Sequence, residues 1–194
     1  MLKVALTGGI ATGKSYVLAR LRGRGIPTID ADDVVHEALG PHTPTTRAIA
    51  TQFGNAFVRA DGSVNRAALA DCVFASPDMR LRLEAIVHPV VYAAIHAWFD
   101  SLQRPAGVAS IPLLYETGHE RDFDLGVVTV CRPEVQMSRL IQRGLTEHEA
   151  QQRLDAQMPA AEKALRGNFV IETGGTMAET DRQVEELIVK YELE

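Results

Sequence analysis

The sequence predicts an α/β fold: five short strands in a mostly parallel sheet flanked by helices, with a long helical stretch inserted after the second strand. Three observations carry this reading. Compact apolar runs recur at residues 3–7, 26–29, 107–111, 125–130 and 169–172. Between them lie stretches whose apolar residues repeat at helical spacing. The chain has 194 residues, 46% hydrophobic and 23% charged, which suits one globular domain with a sizeable core.

Taken in order, residues 3–7 (KVALT) form a first strand, and residues 15–24 follow with Val17, Leu18 and Leu21 on one helical face. Residues 26–29 (IPTI) read as the second strand, and residues 34–102 as mostly helix. Ser76-Pro77-Asp78 is a helix start, with serine as cap and proline in the first turn. His88-Pro89 is expected to break or kink that helix, which resumes over 90–102. Strands return at 107–111 (GVASI), 125–130 (LGVVTV) and 169–172 (FVIE). Residues 133–165 form a helical hairpin in which Thr146 and Glu149 fit a capping box. Thr176 and Glu179 fit another before a last helix carrying Val184, Leu187, Ile188 and Tyr191 on one face. Strands separated by helices imply a sheet covered on both faces. The expected division is a core of 1–32, 105–132 and 166–194, a helical subdomain of 33–104, and an excursion of 133–165.

Composition narrows the function classes. No apolar run approaches the ~20 residues of a membrane span, and no basic region precedes a long apolar stretch near the N-terminus. Cys72 and Cys131 lack metal-like spacing and read as thiols of a reducing cytoplasm. A net charge of −5 argues against broad nucleic-acid binding. The expectation is a cytoplasmic monomer with no membrane or nucleic-acid partner.

Residues 8–15 read GGIATGKS, and Gly8-x-x-x-x-Gly13-Lys14-Ser15 completes the P-loop pattern between a strand and a helix. Glycines let backbone N–H groups close around phosphate oxygens, and the following helix adds its positive end. Gly8, Gly9, Ile10, Ala11, Thr12, Gly13, Lys14, Ser15 and Tyr16 are therefore the expected ATP-binding residues. Lys14 should reach the β- and γ-phosphates and the Ser15 hydroxyl should ligate Mg²⁺. Neither Asn-Lys-x-Asp nor Asp-x-x-Gly occurs, so the guanine-reading and switch signatures of GTPases are absent from the chain.

The second strand runs into Asp30-Ala31-Asp32-Asp33. In a parallel sheet, ligands sit outside the carboxyl ends of the strands, where both this cluster and the P-loop fall. One of these acids can cap the next helix. Asp32 is the first choice for a base that accepts a hydroxyl proton, with Asp30 second for that role and a candidate on the metal side. Arg139 and Arg143, four apart, share a helix face, which reads either as solvated surface or as a lid that closes over ATP and excludes water.

These segments, together with IDADDVVH, DGSVNRAALADCVF, LEAIVHPVV, IPLLYETG and PEVQMSRLIQRG, resemble the dephospho-CoA kinase family over most of the chain. The resemblance implies a P-loop NTPase fold with a helical substrate domain and a helical lid. It also implies ATP-dependent phosphorylation of the ribose 3′-hydroxyl of dephospho-CoA, with Mg²⁺. It puts the base at Asp32, substrate contacts at Asp32, His36, Arg66 and His88, and lid arginines at Arg139 and Arg143. Three departures stand out: Ala11-Thr12 for glycine and serine, Tyr16 for threonine, and GNFVIET over 167–173 where the family shows Ala-Asp-x-Val-Ile-x-Asn. No base-reading residue is assigned there. Other kinases of the same architecture, shikimate- or nucleoside-type, and an ATP-binding regulator share the loop.

Overall fold

A computed structural model describes residues 1–194, with every side chain except those of Phe74 and Ala75. The chain divides into two compact units, residues 1–30 with 102–194, and residues 31–101.

The first unit is built on β1 (Leu2–Gly8), β2 (Thr28–Asp30), β3 (Ala106–Ser110), β4 (Leu125–Val130) and β5 (Phe169–Glu172), in the spatial order β2-β3-β1-β4-β5. All four pairings are parallel, with Leu6 opposite Ser110 and Gly8 opposite Thr129. β1 is central, and its residues Val4 to Gly8 are buried, as expected of a strand covered on both faces. Helix α1 (Lys14–Gly23) follows β1, and α9 (Met177–Tyr191) follows β5. Val17, Leu18 and Leu21 of α1 and Val184, Leu187 and Ile188 of α9 share one core with Val4, Leu6, Val108, Val127 and Ile171. The predicted capping box holds α9: Glu179 N donates to Thr176 Oγ1, and Thr176 N to Glu179. Between β4 and β5 come α6 (Pro133–Gln142), α7 (Glu147–Asp155) and α8 (Ala160–Arg166).

The second unit holds α2 (Ala31–Ala38), α3 (Pro44–Phe53), α4 (Arg66–Ala75) and α5 (Pro77–Ser101). Thr43 caps α3, accepting from Thr46 N at 3.0 Å, with Pro44 in the first turn. Ser76 Oγ accepts from Met79 N at 3.4 Å at the start of α5.

Two expectations are corrected. β2 lies at Thr28–Asp30 rather than 26–29, because Ile26 is drawn into the core and its N–H still bonds Leu21 O behind α1. Of the break or kink expected at His88-Pro89, the break does not occur: α5 runs 25 residues with Pro89 inside it. Proline there deprives the Ala85 carbonyl of its helical donor. Buried Val87, Val91, Tyr92, Ile95 and Phe99 on the flanking turns hold the helix through it, so packing outweighs the local preference. Among the described residues no helix is long and apolar enough to cross a membrane.

Candidate active site

The carboxyl ends of β1, β2 and β3 place Gly8, Asp30 and Ser110 along one edge of the sheet. From Gly8 the chain turns through residues 9–13 into α1, whose first residue is Lys14. Two glycines are required by geometry. A Cβ at Gly8 would collide with the Thr12 and Thr129 hydroxyls, and Gly13 has φ 83 with Thr173 packed against it. Ala11 takes φ 61, a conformation a residue with a side chain keeps only when its surroundings impose it.

Those surroundings are visible. The Gly9 carbonyl accepts from Thr12 N at 3.2 Å and Thr12 Oγ1 at 2.7 Å. The Ala11 carbonyl accepts from Arg139 Nη1 at 3.0 Å. The Thr12 carbonyl accepts from Thr173 Oγ1 at 2.7 Å, and Arg139 Nη2 donates to the Thr173 carbonyl at 2.6 Å. Side chains thus hold loop carbonyls from outside, which leaves the N-terminal end of α1, with its positive dipole end, for an anion.

Lys14 Nζ donates to Ser110 Oγ, so the ammonium lies over the end of β3. Ser15 is exposed at the start of α1. Tyr16 turns away, its phenol donating to Asp181 Oδ1 at 2.7 Å. That bond to a carboxylate holds the Tyr16 pKa above the ordinary phenol value. The Cys131 thiol beside Arg139 is pushed up by burial and so stays protonated at neutral pH.

The remaining expected residues are placed as follows. Arg139 lies in α6 and grips the loop and Thr173, whereas Arg143 is the exposed residue just beyond the end of α6. Asp32 is exposed in the first turn of α2. Within the second unit, Arg66 at the start of α4 donates to His36 Nδ1 of α2 at 2.5 Å, while His88 is half-buried on α5. Arg66 and His36 are thus brought together.

Three residues are not legible as functional from their own segments. Ser110 sits in an apolar run. Thr173 stands out only as a departure from the family pattern, and it serves the loop backbone. Lys163 reads as a surface lysine of AAEKALR, yet it is fully buried on α8, bonding Glu116 Oε1 and the Pro112 carbonyl, both at 2.7 Å. Glu116 Oε1 also accepts from Met158 N at 3.1 Å, so this ion pair fastens α8 to the segment leaving β3. Replacing Lys163 by Met strands a half-buried carboxylate and should cost about 3 kcal/mol in urea unfolding. An unchanged midpoint would mean that solvent, and not Lys163, satisfies the Glu116 carboxylate.

A central parallel strand ending in a glycine-rich turn, a helix N-terminus and a lysine define a P-loop nucleotide-binding protein. The dephospho-CoA kinase family model matches residues 2–179, and the chain belongs to that family. A dephospho-CoA kinase of Symbiobacterium thermophilum is 46% identical over 186 residues, 94% of this chain and 78% of that protein. The solved structure of TT1252 from Thermus thermophilus superposes with a TM-score of 0.83 at 30% identity, covering 97% of each chain. A dephospho-CoA kinase structure from Campylobacter jejuni shares the fold, with a TM-score of 0.72 at 24% identity over 97% of this chain and 96% of that one.

Proposed function

We propose that the protein transfers the γ-phosphoryl group of ATP to the ribose 3′-hydroxyl of dephospho-CoA, giving coenzyme A and ADP, the last step of coenzyme A synthesis. The observation that carries this is the pinned loop of residues 8–15 in a chain matched to the dephospho-CoA kinase family over residues 2–179. Backbone amides at the start of α1 and Lys14 bind and orient the triphosphate. Asp32 orients the acceptor hydroxyl and takes its proton. Residues 31–101 supply the substrate side through His36, Arg66 and His88, and residues 133–165 act as the lid. Arg143 reaches the phosphates from that lid, while Arg139 works through the Ala11 carbonyl that it holds.

Mg²⁺ suits the oxygen donors available, the Ser15 hydroxyl and the Asp30 carboxylate, since this cation is usually held by one or two protein oxygens together with substrate phosphates. Among the described residues no three His, Cys, Asp or Glu side chains cluster as a protein-only cage. When bound, the cation would neutralise charge developing on the phosphates. A cytoplasmic setting fits the two free thiols, Cys72 and Cys131.

The test follows ADP formation from Mg²⁺-ATP with dephospho-CoA, shikimate or adenosine as acceptor, with mass spectrometry of the products. A single phosphate gained by dephospho-CoA alone is the expected result. Phosphorylation of shikimate or adenosine instead would move the protein to another small-molecule kinase. Binding of ATP without any acceptor-dependent ADP would leave a nucleotide-binding regulator.

A further inference from the structure

One residue of the phosphate loop is held at both ends of its own backbone. Ile10 N donates to Gln157 Oε1 at 2.9 Å, and the Ile10 carbonyl accepts from Gln136 Nε2 at 2.7 Å. Gln136 is buried on α6, and Gln157 lies in the turn between α7 and α8. The two amides are oriented by what they meet: an N–H demands the side-chain oxygen and a carbonyl demands the side-chain NH₂. Gly9 makes room for this arrangement, since a Cβ there would stand 3.1 Å from Gln136 Nε2. Gly9, Ile10, Gln136 and Gln157 line one cavity of about 760 Å³ between the loop, α6 and residues 157–161. The next residue, Ala11, is the one with φ 61.

We infer that Gln136 and Gln157 are positioning residues for phosphoryl transfer. Together they fix the peptide planes on either side of Ile10, hold the strained turn at Ala11, and keep the loop in its phosphate-binding form. Through Gln157 the segment joining α7 and α8 is tied directly to the loop, so a displacement of that segment withdraws one of the loop's supports. The inference rests on the reading of residues 8–15 as the ATP cradle.

The chemistry of the two contacts is opposite, and that gives a test. Glutamate can accept from the Ile10 N–H at position 157, but at position 136 it sets a carboxylate against a carbonyl. Gln157→Met and Gln136→Met should each weaken Mg²⁺-ATP binding about tenfold by calorimetric titration, as loss of a partner to a part-buried backbone group implies. Gln157→Glu should recover most of its loss, whereas Gln136→Glu should recover none. Thermal melting shows that each variant is folded, and the Gln157 pair decides alone if the Gln136 variants are not. Glutamate equal to methionine at 157 would reduce the contact to packing, and glutamate worse than methionine at 157 would reduce it to charge repulsion; either overturns the inference. An unsubstituted protein that fails to bind ATP would overturn the cradle reading as well. Tight binding unaffected by any of the four substitutions would overturn the positioning role alone.

Discussion

Asp32→Asn should lower kcat with dephospho-CoA by at least about a hundredfold, the lower end of what a positioned general base contributes. The Kd for ATP should stay within about threefold, since the carboxylate is assigned to the acceptor and not to the nucleotide. The substitution keeps size and hydrogen-bonding reach and removes only the ability to take a proton. Asp32 is exposed in the first turn of α2, and thermal melting of the variant beside the kinetics separates a loss of turnover from a loss of fold. Asp30→Asn is the companion measurement: Asp30 ends β2 opposite Ser110, so its loss should show in the dependence on Mg²⁺. Full turnover in Asp32→Asn, with loss in Asp30→Asn, would exchange the two assignments.

What the sequence made legible was whatever depends on near neighbours. The strand of residues 3–7 and the helix after it are marked by local periodicity, and the loop between them by glycine spacing, so β1 and α1 begin and end within one residue of their expected bounds. The capping boxes at Thr146 and Thr176 relate residues only three apart and are legible for the same reason. Helix α5 continues through Pro89 because the local cost of the proline is offset by packing from other elements. The support of the loop was hidden for a related reason. Arg139 lies 128 residues from Ala11, and Thr173 lies 161 residues from Thr12. Nothing in PEVQMSRLIQ tells a glutamine or arginine that will grip a carbonyl from one that will face water. Only the parallel order β2-β3-β1-β4-β5 brings the ends of β4 and β5 against the loop after β1, and chain separation conceals that adjacency. Lys163 is the extreme case, since a lysine between a glutamate and an alanine on a helix reads as surface until Glu116 and Pro112 are found around it.

Lys14→Met should weaken ATP binding by ten- to a hundredfold and lower turnover further still. Two unit charges about 4 Å apart attract by about 4 kcal/mol at an effective dielectric of 20, and competing hydration removes part of that. The remainder corresponds to a Kd change of roughly one to two decades. Methionine preserves the unbranched stem, so the comparison isolates the charge. The larger effect on turnover follows because charge develops on the transferring group beyond that present in the bound substrate, where a fixed cation stabilises it more. In this structure the ammonium donates to Ser110 Oγ at the end of β3. Lys14→Arg should rescue poorly despite its charge, since a planar fork does not reproduce a compact ammonium in that position. An ATP titration unchanged by Lys14→Met would mean that residues 8–15 do not hold the β- and γ-phosphates, and the kinase reading would lose its physical basis at this site.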